Sequence, residues 1–176
     1  MAKRLNIDGY GQLELNQVAF RRDGRIEAQC KLADGIDFVE NGMLLAVDQA
    51  TRTVGMPTGN DDFLALNYTT EHMYDERLAY GLKHFKLDKD SFLPRLGYLA
   101  TGDKFTTNCI AVDDDAATGA KATVAEVETV LETAKYAKAC ALGAWELTAD
   151  AEGAVAKIVE ATTMPDGQFA IKFIAL

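Results

Sequence analysis

Serine is nearly missing from this chain: among 176 residues it occurs once, as Ser91 in Asp90-Ser91-Phe92. No Gly-x-Ser-x-Gly elbow surrounds it, and only two histidines, His72 and His84, exist to activate a nucleophile. Hydrolysis by a Ser-His machinery needs both features, so that class is set aside. Cysteine is also scarce. Cys30, Cys109 and Cys140 are odd in number, far apart and without Cys-x-x-Cys spacing, which argues against a disulfide framework and against a zinc site. They are expected as small buried hydrophobes in a reducing compartment, and nothing in the spacing sets a histidine beside any of them.

Positive charge is the next shortage. Eighteen Lys and Arg stand against 27 Asp and Glu, a formal charge of −9, with a pI near 4.7. Binding to nucleic acid or to anionic lipid requires clustered cations that displace counterions, so both partners are excluded as expectations. The pair Lys3 and Arg4 is too short for a basic arm and is predicted to be solvated terminal charge. Long apolar runs are absent too: no window approaches the roughly 20 residues that span a bilayer. The start, Met1-Ala2-Lys3-Arg4, leads into alternation and not into a signal-peptide core, so a life in the cytoplasm of the producing cell is expected. Gly9, Gly11, Gly97 and Gly102 form no phosphate-binding pattern, and no cofactor is expected.

What is present is a chain built to fold. Apolar residues make up 48% and charged residues 26%, enough for one substantial core, and the length fits a single domain over 1–176 with an N-terminal β-ribbon subdomain at about 1–60. Ile26, Ala28, Cys30 and Leu32 alternate with Arg25, Glu27, Gln29 and Lys31. That period of two predicts one arm of a half-buried antiparallel ribbon, with Leu13 and Leu15 in the other and Asp8-Gly9 and Asp23-Gly24 as tight turns. Further strands are predicted at Met43 to Val47, Arg52 to Met56, Phe63 to Tyr68, Arg95 to Ala100, Phe105 to Val112 and Ala141 to Leu147. Two helices are predicted, Thr70 to Phe85 and Thr123 to Ala139, from apolar residues at three- and four-residue spacings, although the valines and threonines of the second also permit strand. The clearest signal is terminal. Ala154 to Thr163 and Phe169 to Ala175 flank Met164-Pro165-Asp166-Gly167-Gln168, where proline presets φ and glycine supplies a left-handed position, which predicts a β-hairpin. The fold class is mainly β (α+β), an antiparallel barrel or sandwich with one or two short helices.

Chemistry has few candidates. His72 with Asp75 and Glu76 falls at three- and four-residue spacing and could share a helical face as metal ligands, but such a set lacks a further ligand and reads better as solvated helix charge. His84, between Lys83 and Phe85, reads as a ring at the edge of the core. Asp88 with Asp90 and the run Asp113-Asp114-Asp115 offer the oxygen atoms that calcium prefers, but neither has the glycine and bidentate glutamate of a calcium loop, and both read as solvated loops. No catalytic residue is expected.

Three phrases carry a resemblance: Asn6-Ile7-Asp8-Gly9-Tyr10-Gly11-Gln12-Leu13-Glu14, Tyr68-Thr69-Thr70-Glu71-His72-Met73-Tyr74-Asp75-Glu76, and Phe92-Leu93-Pro94-Arg95-Leu96-Gly97-Tyr98 through Gly102-Asp103-Lys104-Phe105-Thr106-Thr107-Asn108. Together they resemble virion structural proteins of tailed bacteriophages and prophages, of the small kind that accompanies the major capsid protein. The closing segment Val159 to Gln168 resembles the terminal hairpin of such head-associated proteins. The resemblance implies a non-enzymatic capsid decoration or auxiliary head protein on the capsid surface, a homo-oligomer whose partner is the major capsid protein. A tail-tube or head-tail subunit is the alternative within that class, and a metal-dependent enzyme using His72 is the alternative outside it.

Overall fold

The computed structural model describes residues 2–59, 61, 63–70, 81–114 and 119–176. Along the chain the strands are β1 (Ala2–Arg4), β2 (Leu13–Gln17), β3 (Ile26–Glu27), β4 (Lys31–Leu32), β5 (Phe38–Val39), β6 (Leu44–Asp48), β7 (Thr53–Gly55) and β8 (Leu64–Asn67). There follow β9 (Leu87–Asp88), β10 (Leu96–Gly97), β11 (Lys104–Thr107), β12 (Ile110–Asp113), β13 (Tyr136–Ala139), β14 (Trp145–Thr148), β15 (Ala156–Thr163) and β16 (Phe169–Ala175). An eight-stranded sheet has the order β1-β12-β14-β13-β15-β16-β11-β2, and a six-stranded sheet the order β3-β10-β8-β6-β7-β4; β5 pairs with β9 alone. The protein is therefore mainly β. Neither large sheet closes into a barrel, and the pairing is mixed, because β12 runs parallel to β14 and β4 parallel to β7.

One core joins the sheets. Phe105, Ile110, Trp145 and Phe173 from the larger sheet belong to the same buried cluster as Leu44, Val54 and Leu66 from the smaller one. At its centre Trp145 lies 4.8 Å from the Phe105 ring and 5.4 Å from the Phe173 ring. Buried apolar surface of this kind supplies most of the drive to fold.

The terminal hairpin forms as predicted, β15 against β16, with Gly167 at φ +84° and its N–H donating to the Met164 carbonyl. Ile171 and Phe173 are buried. Lys172 meets Glu160 at 3.1 Å on the opposite face. The predicted second helix is shorter than expected: α1 (Val124–Leu131) is capped by Thr123, whose hydroxyl accepts from the Glu126 N–H while the Glu126 carboxylate accepts from the Thr123 N–H. This reciprocal box satisfies two orphan donors of the first turn. Tyr136 to Ala139, expected to continue the helix, is instead strand β13, held between β14 and β15. Ladder partners on both sides take over beyond the apolar stripe of Val124, Val127, Val130, Leu131 and Ala134, which ends before this segment.

Other expectations are corrected. Ile26 and Ala28 face solvent, Ile26 at 44% exposure. Strands β3 and β4 lie at opposite ends of one sheet, and β2 joins the other sheet beside β11, so no N-terminal ribbon forms. Strands β1 and β2 both pair with strands from the second half of the chain. The single strand predicted over Phe105 to Val112 is two, because the chain turns at Asn108-Cys109 and changes partners from β16 and β2 to β1 and β14. Of Arg95 to Ala100 only Leu96 and Gly97 are strand, and Ala141 to Ala144 form a turn before β14. The predicted first helix falls mostly on residues outside the described ones; its described end, Gly81–His84, is a 3-10 turn.

Candidate functional site

Buried charge is rare in a protein interior; Asp103 and Asp114 are buried carboxylates, and a buried ion pair sits where the two sheets meet. Arg4 closes β1, and Glu40 and Asn41 lie between β5 and β6. Cys109 occupies the turn between β11 and β12. Arg4 Nη1 donates to Glu40 Oε1 at 2.9 Å and Arg4 Nη2 donates to Glu40 Oε2. The side chains are 18% and 7% exposed, which makes this a largely desolvated, two-point ion pair. Gly11 N–H donates to the same Oε2 at 2.5 Å. A Cβ on Gly11 would fall 2.7 Å from the Asn41 carbonyl and against the Cys109 sulfur, so the close approach of this backbone requires glycine.

Around that pair most polar groups find partners, whereas Arg4 Nε and Asn108 Nδ2 are buried without a hydrogen bond to the described residues. Cys109 Sγ donates to the Asn41 carbonyl at 3.1 Å, and Asn67 Nδ2 donates to the Glu40 carbonyl at 2.8 Å. Asn108 Oδ1 accepts from Gln12 N–H at 2.7 Å, and Trp145 Nε1 donates to the Gly42 carbonyl at 2.8 Å. Arg4 is thus no solvated terminal charge. Lys3 is not free either, since it reaches Glu126 at 2.7 Å and ties β1 to the first turn of α1. The Lys3 hydrogen bond holds the Glu126 carboxyl far down, at about 2.

Cys109 is the one nucleophile in this cluster. Burial pushes its thiol up to about 11, more than the Arg4 charge pulls it down. A thiol with that pKa is roughly one part in ten thousand thiolate at pH 7. The cluster ties β1 and the β11–β12 turn to the segment that precedes β6. A pH dependence follows. The unfolded thiol ionises near 9.0 and the folded one near 11, so above pH 9 the folded state holds the extra proton. The stability this contributes is complete below pH 9 and is lost as pH rises through 11. Urea unfolding followed across that range is expected to show a falling stability whose slope is shallower in Cys109→Ala, and Ellman's reagent is expected to leave Cys109 unmodified until the chain unfolds.

The other candidates disperse. His72, Asp75 and Glu76 lie outside the described residues, and so does Asp115. His84 is exposed and not at the edge of the core. Ser91 donates its hydroxyl to the Asp88 carbonyl at 2.6 Å as part of a turn. Asp88 pairs with Lys86 at 2.6 Å, and Asp90 stands at φ +67°. Asp113 is exposed at the end of β12, whereas Asp114, expected in a solvated loop, is 4% exposed and accepts from Gly119 N–H. Among the described residues no three His, Cys, Asp or Glu side chains are placed to hold a metal ion. All three cysteines are buried thiols.

Open surface features lie at the smaller sheet. One groove of about 480 Å³ has Ala33, Ala46 and Met56 among its lining, with Asp48, Asp61 and Phe63 at its walls. A second, of about 350 Å³, is lined by Lys31, Leu32 and the segment Lys89 to Leu93. Phe63, Phe92 and Leu93 are 51%, 57% and 44% exposed. Large apolar side chains left this open at groove walls are what protein contacts are made from. Sequence reading missed both grooves and the Arg4–Glu40 junction. The only local hint was Gly11, a glycine without a turn to explain it.

In comparisons with known proteins the chain matches no family model, no curated protein and no solved structure.

Proposed function

We propose that this chain is a non-enzymatic virion structural protein that decorates or stabilises a phage capsid by protein–protein contact, with the major capsid protein as partner. The observation that carries the reading is the division of labour among side chains. At the sheet junction Arg4 is spent on Glu40 and Cys109 on the Asn41 carbonyl, while aromatic and aliphatic groups stand exposed at open grooves. The phrases quoted from the sequence give the class of assembly, and the acidic surface keeps free subunits apart until they dock.

The test is co-sedimentation of purified protein with assembled capsids of the phage or prophage that encodes it. Saturable binding in a fixed ratio to the shell subunit is expected. Protein that stays in the supernatant at every ratio would overturn the reading, and stacked rings of the protein alone in negative stain would replace it with a tail-tube subunit.

A further inference from the structure

The terminal hairpin is last in the chain and innermost in its sheet. In the order β1-β12-β14-β13-β15-β16-β11-β2 it stands between β13 and β11, so without it the sheet is two pieces, β1-β12-β14-β13 and β11-β2. Those pieces have anchors that no residue of the hairpin makes. Strand β11 runs into β12 through Asn108-Cys109, Arg4 holds Glu40, Cys109 Sγ donates to the Asn41 carbonyl, and Trp145 Nε1 donates to the Gly42 carbonyl. The smaller sheet takes no strand from the hairpin at all.

The hairpin itself is bound unevenly. Strand β16 pairs with β11 from Lys104 to Thr107 and buries Ile171 and Phe173, the latter against the Phe105 and Trp145 rings. At the tip Gln12 Nε2 donates to Asp166 at 2.8 Å and Asp8 N–H donates to Gln168 at 2.7 Å. Strand β15 is paired with β13 only at Ala156 and Lys157. A register shift between Ile158 and Glu160 follows, and from Val159 to Thr163 no strand lies on its outer side among the described residues. A bulge of this kind ends pairing at an edge. The connection from β14 is a surface loop, with Ala149 to Gly153 exposed and the N–H groups of Asp150 and Glu152 bonded to Thr148 and Asp150. A Cβ on Gly153 would meet open space.

We propose that Ala154–Leu176 is a separable ligand of the rest of the chain: the hairpin leaves and re-enters as a unit, and the slot between β13 and β11 stays formed without it. The slot selects its occupant by what the hairpin supplies. It takes a strand antiparallel to β11, apolar side chains at Ile171 and Phe173, and the polar tip that Gln12 and Asp8 grip. The same segment of a second copy offers the same contacts, so copies exchange hairpins through the open slot. This inference goes beyond the capsid reading and stands on strand order and the bonds of the sheet junction.

Hydrogen exchange of the full chain is the first test. Outside the slot a two-stranded hairpin is marginal, so the amides of β15 and β16, including those bonded to β11, are expected to exchange as one unit. Their exchange is expected to be about tenfold or more faster than that of β6 and β8 in the smaller sheet. Equal rates would mean that the hairpin leaves only when the whole chain unfolds, and would overturn the proposal. The second test cuts the folded chain at a specific protease site placed at Glu152-Gly153 and adds an excess of fluorescent synthetic peptide of residues 154–176. Labelled peptide is expected to replace the cut hairpin in equal amount to the chain while β6 and β8 stay protected, and a peptide carrying Phe173→Asp is expected to stay out. Loss of the fold on cutting, no uptake, or equal uptake of the Phe173→Asp peptide overturns the proposal. Neither test involves capsids, so a chain that exchanges hairpins but ignores capsids loses only the capsid reading.

Discussion

Glu40→Ala is expected to lower the unfolding free energy by about 3–5 kcal/mol, because it leaves the Arg4 guanidinium buried without its counterion. The geometry makes the loss large. Arg4 engages both carboxylate oxygens, and one of those oxygens also accepts from Gly11. Burial acts to lower the Arg4 pKa, but the neighbouring Cys109 and Glu40 outweigh it and hold the guanidinium above its ordinary value, so it stays charged and does not escape by losing its proton. The double variant Arg4→Met with Glu40→Met is expected to lose less than the Glu40→Ala single, since two apolar side chains of similar length fill the space without stranding a charge. Urea unfolding of wild type, Glu40→Ala, the double variant and its singles Arg4→Met and Glu40→Met at neutral pH checks this. A double variant as unstable as the sum of its singles would show that the two residues do not act as a pair. Added salt is expected to change these differences little, because the pair is shielded from solvent ions.

The reach of sequence reading here tracks the distance over which each structural decision is made. The hairpin of β15 and β16 was legible because proline and glycine in Met164 to Gln168 fix the turn, and the alternation of Phe169 to Phe173 fixes the face. Helix α1 was legible over its first two turns for the same reason, its cap and its apolar spacing being local. Ile26 shows where this stops. Alternation says that two sets of side chains point opposite ways; it does not say which set is covered, and a two-residue edge strand leaves Ile26 in solvent. The Arg4–Glu40 pair joins residues 36 apart, and Cys109 reaches Arg4 across 105. No window of the sequence holds both members, so a terminal arginine looks like solvated charge until the sheet order brings β1 beside β12 and over Glu40. The grooves were illegible for a related reason: Ala33, Asp48, Asp61 and Phe63 become neighbours only through the pairing of β4, β6, β7 and β8.

Trp145 is the second point where a single change is expected to cost about 3–5 kcal/mol, this time through a cavity. Its ring is fully buried and packs on Phe105 and Phe173, which also stack with each other at 5.6 Å. Removing the indole takes one member from a three-ring cluster, and the ladders of β14, β11 and β16 restrain the neighbours from closing the gap. The indole has a second role, because its N–H donates to Gly42, whose φ of +81° sets the turn into β6. Trp145→Phe separates the two contributions. It keeps an aromatic ring in place but leaves the buried Gly42 carbonyl without that donor, so a loss of about 1–3 kcal/mol is expected, between wild type and Trp145→Ala. Urea unfolding by circular dichroism ranks the three proteins. If Trp145→Phe matches wild type, the indole bond contributes nothing to the joining of the sheets, and packing with the Leu44 N–H bond to the Gly143 carbonyl holds this contact.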